Sequence, residues 1–194
     1  LNEGEKQLRK TGDSRERVLF WSSELEISNE LLQVAINLAG AHEIDVLGFY
    51  RQGWDQLFQW AVPQHTGALV RLSTLARVDG IDFRCNGVGK KISMVVEGLG
   101  PDPIDVPIAG MEDFHTQLKM LRKNPKGFSW GMVGKSKPLV WDVNPTDPER
   151  KRNHLMKVAR QGKVMEFWAK EIFPHLSWEE VKERFLRHRV EFTI

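Results

Sequence analysis

Residues 129–136, Ser-Trp-Gly-Met-Val-Gly-Lys-Ser, bring glycine, lysine and serine close to the spacing of a phosphate-cradling loop. In such a loop, backbone N–H groups and the lysine hold a phosphate at the start of a helix. Here Ser129 stands where the first glycine is needed. Pro138 and the strand-like Leu139 to Trp141 stand where the helix must begin. Nucleotide hydrolysis is therefore not expected, and a basic hairpin tip fits the stretch better. A second set of groups is Asp82 and Glu97 with Asp102 or Asp105, carboxylates that could hold Mg²⁺ for phosphodiester cleavage. Glu97 is followed by Gly-Leu-Gly rather than by the lysine such nucleases place after the acid, which leaves a Mg-dependent nuclease as a remote alternative. The histidines, His42, His65, His115, His154, His175 and His188, form no H-x-x-x-H or Cys-His pairing, so no zinc site is expected. Cys85 lacks neighbouring acid–base residues, and no G-x-S-x-G elbow nominates a serine nucleophile. A non-enzymatic chain without cofactor or metal is the resulting expectation.

The charge distribution is more informative than any of these motifs. The whole chain carries a formal +2, yet between Gln117 and Val164 twelve basic residues face three acids. That is +9 within one quarter of the length, balanced by −7 elsewhere. A near-neutral protein with one basic quarter reads as a body carrying an anion-facing surface; the alternative is solvated helix faces and loop tips that never converge. The candidate phosphate contacts are Arg84, Lys91, Lys119, Arg122, Lys123, Lys126, Lys135, Lys137, Arg150, Lys151 and Arg152.

These side chains must be held by a fold, and 194 residues suffice to bury a core without staples. At 41% hydrophobic and 28% charged, with no apolar run near the ~18 residues of a membrane helix, the composition is that of a globular chain. The single cysteine gives no disulfide framework, so an intracellular reducing compartment is expected. The chain opens at Leu1 on a polar tail without a signal core, which leaves localisation open, an organelle included if a targeting segment once preceded it. Seven tryptophans against one tyrosine read as core rather than recognition surface.

The pattern predicts a short strand at Val18 to Trp21, then a helix from an S-x-x-E box at Ser23 and Glu26 through Ile27, Leu31, Val34, Ala35 and Leu38. A second helix is expected over Leu47, Tyr50, Trp54, Leu57, Phe58 and Ala61, ended by Pro63, and a third over Leu69, Leu72, Leu75 and Ala76. The period then changes to two. Ile81, Phe83 and Cys85 pair by hydrophobic register with Ile92, Met94 and Val96 across a loop at 86–89, which turns Arg84 and Lys91 to the opposite face. A helix over Met111, Phe114, Leu118 and Leu121 follows. A second hairpin is expected with Phe128, Trp130 and Met132 on one arm, Leu139, Trp141 and Val143 on the other, and its tip at 134–138. Core packing is the expected role of the Trp130 face, and a base-stacking platform is the alternative.

From Pro148 the reading is helical. Val164, Phe167 and Trp168 form one stripe, and Ser177 and Glu180 form a capping box before Trp178, Val181 and Phe185. The aromatic spacing of FWAKEIFPHLSWEEVKERFLRH resembles the second and third helices of Myb-like domains over about a fifth of the chain. Glu179, Glu180 and Glu183 would repel phosphate there, so the stretch is read as a helical hairpin that closes the core, and no family function is carried over. The expected architecture is α+β: N-terminal helices packed with two antiparallel β-hairpins and a C-terminal helical hairpin. The expected organisation is a flexible tail over 1–16 and a single α+β domain over 17–194, with 147–194 as a candidate helical appendage. The expected function is largely sequence-independent binding of RNA or single-stranded DNA by the basic surface of residues 117–164. The alternative is an assembly protein that docks this face on acidic partners or on its own copies, as a homo- or hetero-oligomer, with no membrane partner.

Overall fold

The computed structural model describes residues 17–21, 25–51, 63, 67–78, 91–107, 112–138 and 147–192. Its strands are β1 (Arg17–Trp21), β2 (Leu25–Glu26), β3 (Val46–Arg51), β4 (Gly67–Arg71), β5 (Lys91–Met94), β6 (Ile104–Pro107), β7 (Trp130–Pro138) and β8 (Arg189–Val190). Its helices are α1 (Asn29–Ala41), α2 (Leu72–Ala76), α3 (Glu112–Lys123), α4 (Pro148–Ile172) and α5 (Trp178–Arg187). The class is α+β. A mixed sheet runs β1-β4-β3-β7-β2, with β8 added to β7, and β5 pairs separately with β6.

Period-two alternation explains the layering. Val46, Ala68, Val70, Trp130 and Met132 turn to one face of the sheet, where Phe114, Leu118 and Leu121 of α3, Val164, Trp168 and Ile172 of α4, and Val181 and Phe185 of α5 complete one cluster. Leu47, Phe49, Leu69 and Val133 turn to the other face and meet Ala35 and Ala39 of α1. Two apolar faces on one sheet require helices on both sides, which is the observed three-layer arrangement.

Several local expectations are revised. The expected second helix begins instead as β3, because Val46 to Phe49 lie between β4 and β7 and are covered on both faces, where a continuous apolar run is the strand signature. The rest of that expected helix, apart from Pro63, lies outside the described residues. The third is split into β4 and the single turn of α2. The first helix starts later than its box, at Ser28, whose hydroxyl accepts from the Leu31 N–H at 3.2 Å, while Leu25 and Glu26 pair with β7. The expected hairpin tip at 134–138 is strand: β7 runs on to Pro138, parallel to β3 and antiparallel to β2. A bulge lets it continue, since Val133 pairs with Phe49 and Lys135 with Tyr50 while Gly134 is the extra residue. Gly134 has φ +42°, and a Cβ there would lie 2.3 Å from Leu31 of α1. Proline suits the strand end because it has no N–H to give to a ladder. The partner arm of each expected hairpin, 81–85 and 139–143, lies outside the described residues.

Candidate nucleic-acid interface

The fold sorts the expected contacts into groups. Arg122 and Lys123 end α3, and Lys126 follows in the turn at 125–127; all three are exposed. Arg122 Nη1 donates to the Ile172 carbonyl at 3.3 Å, so this end of α3 lies against the last turn of α4, where a cation suits the carbonyl end of a helix. Arg150, Lys151 and Arg152 are the third to fifth residues of that same α4, with Lys151 and Arg152 exposed. Twenty residues at about 1.5 Å rise separate Arg152 from Ile172, so the two groups stand roughly 30 Å apart along the helix.

The remaining candidates are dispersed. Lys91 is exposed at the start of β5, opposite Pro107. Lys119 is half-buried, and its Nζ donates to the Val78 carbonyl at 3.5 Å, which ties it to the end of α2. Lys135 and Lys137 occupy register positions inside the sheet, opposite Tyr50 and Glu26, rather than a loop tip. Arg84 and Trp141 lie outside the described residues. Of the aromatics offered for stacking, Phe128 and Trp130 are core. Trp130 Nε1 donates to the Phe185 carbonyl at 2.7 Å, and its ring stacks on Phe185 at 4.7 Å.

Ion pairing separates some of the cations from the rest. Lys163 pairs with Glu166 at 2.9 Å, Lys182 with Glu179 at 2.5 Å, Arg187 with Glu183 at 2.7 Å and Arg189 with Glu191 at 2.9 Å. Lys123, Lys126, Lys151 and Arg152 form no salt bridge among the described residues, and neither do the exposed Arg77, Lys91, Lys170 and Arg184; what sets the first four apart is that they lie in two groups at the ends of α4. The start of α4 makes the contrast steeper. Asp147 Oδ1 accepts from the Glu149 N–H at 2.8 Å and Pro148 takes the first helical position, an ordinary helix opening. Three consecutive cations then sit at the positive end of the helix dipole, where acids are the stabilising choice.

The sequence reading did not single out Asp45, whose buried carboxylate organises the base of the sheet. Its Oδ1 accepts from the Thr74 hydroxyl, its Oδ2 from the Ser129 N–H at 2.9 Å, and Arg71 Nε lies 3.8 Å away. This ties β3 to α2 and to the entrance of β7. Asp45 stands between Ile44 and Val46 in a β-rich stretch, and no spacing signal marks it. Arg17, close by, donates to the Ala39 carbonyl; burial first, then the Arg71 charge, lowers its pKa. No group of three or more His, Cys, Asp or Glu side chains suited to a metal occurs among the described residues. Glu97 and Asp102 lie exposed in the β5–β6 connection and Asp105 on β6, while Asp82 is outside the described residues. No helix is long and apolar enough to cross a membrane among the described residues.

No family model, curated protein sequence or solved structure matches this chain.

Proposed function

We propose that the chain is a non-catalytic protein that binds the phosphate backbone of nucleic acid without reading its sequence. The observation that carries this reading is the grouping, at the two ends of α4, of exposed cations without a carboxylate partner among the described residues: Lys123 and Lys126, Lys151 and Arg152. Lys163, Lys182, Arg187 and Arg189 are paired with glutamates, whereas these four, grouped at the two ends of α4, leave their charge to an external anion. Two groups about 30 Å apart suit a polymer that presents a charge every ~1.7 Å, and therefore an anion at almost any spacing. A compact acidic partner would need its own carboxylates spread over that length.

The test is binding of unrelated nucleic-acid sequences by the full chain across a salt series. Each phosphate contact contributes about 0.7 to 0.9 to the slope of log affinity against log salt. Changing all four cations to Glu should remove binding while circular dichroism stays unchanged; an affinity equal to that of the parent chain overturns the reading. A second reading rests on a different observation. On α1, Val34 and Ile36 flank the buried Ala35 on either side, 39% and 42% exposed, and no charged residue falls between Leu31 and His42. A parent chain that ignores nucleic acid but self-associates in sedimentation experiments, with Ile36→Glu dissolving the oligomer, would favour the assembly role.

A further inference from the structure

We infer that the two cation groups engage one double helix together, so that the ligand is duplex rather than single-stranded nucleic acid; this rests on the phosphate-binding reading above. Three observations lead there. First, the separation is set by a helix. Arg122 is bonded to the last residue of α4, and Lys151 and Arg152 are its fourth and fifth residues, which makes the span roughly 30 Å along a rigid rod. The C-terminal half of that rod is anchored in the core by Val164, Trp168 and Ile172.

Second, a single strand gains much of its affinity from bases stacked on exposed aromatics. Phe128 and Trp130, which follow Lys126 directly in the chain, are sealed against Phe185 instead. The two aromatics nearest this group in the chain therefore offer no exposed ring for stacking. Third, a duplex is stiff over about 150 base pairs, so phosphates near one turn apart, roughly 34 Å, stay at that spacing without being ordered by the protein. A flexible strand would lose conformational freedom in bridging the same gap. Contact at one group therefore raises the effective concentration of phosphate at the other only when the ligand is long and stiff enough to reach it. The shared chemistry is the double-helical phosphate backbone, which DNA and RNA both present.

The experiment uses the full chain and fluorescence anisotropy with DNA duplexes and RNA duplexes from about 6 to 24 base pairs, and single strands of matching length. About 10 base pairs span one turn. The expected result is a step in affinity of about 100-fold as duplexes lengthen past that point, with no such step for single strands. Lys123→Glu with Lys126→Glu, or Lys151→Glu with Arg152→Glu, should each abolish the step while weak binding of short duplexes persists through the other group. The DNA and RNA arms show which double helix is preferred, and a step in either supports the inference. Affinity that rises smoothly with length, or single strands that match duplexes, would overturn the two-point span while leaving phosphate binding intact. Absence of binding to every nucleic acid would overturn phosphate binding itself.

Discussion

The start of α4 and the outer face of α5 are both helical, exposed and rich in cations, yet they use charge in opposite ways. In α5, acids open the helix and basic residues close it, and Lys182 and Arg187 each find a glutamate one turn earlier. Every choice there agrees with the helix dipole and with local pairing. In α4, Asp147 and Glu149 also open the helix, but Arg150, Lys151 and Arg152 follow them at once, near the end where a cation is least welcome, and neither Lys151 nor Arg152 has a carboxylate partner among the described residues. A run of unpaired cations this close to the positive end of a helix does not serve the helix's own stability. The difference also separates two kinds of basic residue that a net-charge count treats alike.

The largest expected effect tests the internally satisfied side of this comparison. Trp130 is fully buried, stacked on Phe185 of α5 and hydrogen-bonded to its carbonyl. Trp130→Ala removes the ring that seats α5 on the sheet and leaves a cavity, which should cost about 3 to 5 kcal/mol in chemical denaturation. Nucleic-acid affinity of the folded fraction should stay unchanged. A stable variant with weakened binding would mean that this ring serves a ligand, and the boundary between the two regions would have to be redrawn.

The same comparison shows what the sequence made legible. The capping box of α5 was readable because Ser177 and Glu180 act within one turn, and both reciprocal hydrogen bonds are present. The core face of α3 was readable from the spacing of Phe114, Leu118 and Leu121, all buried. Strands held by distant partners were harder. Leu47 and Tyr50 have helical spacing, and only the flanking strands β4 and β7 make β3 extended. Residues 134–138 carry turn chemistry, and a bulge seated against Leu31 converts it into strand, a contact across more than a hundred residues that no local pattern contains. For the candidate site, the charge count found the basic quarter but not its division. Separation by a 25-residue helix and neutralisation of Lys163 by Glu166 are properties of the folded chain.

A smaller effect should distinguish the two regions by sign. Lys151→Ala with Arg152→Ala removes two cations from the positive end of α4, and the ligand-free protein should become more stable by about 0.3 to 1 kcal/mol per charge at low salt. Arg187→Ala removes a paired cation from the carbonyl end of α5 and should destabilise by about 0.3 to 0.5 kcal/mol. Both are measurable as shifts in denaturation midpoint, and both should shrink as salt is added. Two losses of the same sign would show that the start of α4 is stabilised by its cations, which would remove the contrast.

The smallest effect concerns acid. The Glu180 carboxylate accepts from the Ser177 backbone N–H and from its hydroxyl, each at 2.8 Å, and it is the backbone bond first that holds its pKa below the usual glutamate value of 4.5. A folded-state pKa lower than the unfolded one means that the unfolded chain takes up the proton first. The capping contribution is therefore complete above about pH 4.5 and is lost as pH falls through the lower folded value. Glu180→Gln keeps an acceptor at the same place but cannot titrate. Denaturation midpoints measured from neutral pH downward should show the parent chain losing its small advantage over the variant below about pH 4.5, with a constant difference above it. The start of α4, capped by Asp147 without a reciprocal glutamate at its third position, where Arg150 stands, offers no such box. Parallel pH profiles for parent and Glu180→Gln would show that the carboxylate charge adds nothing to the cap, and that the order of α5 comes from Trp130 and Phe185 alone.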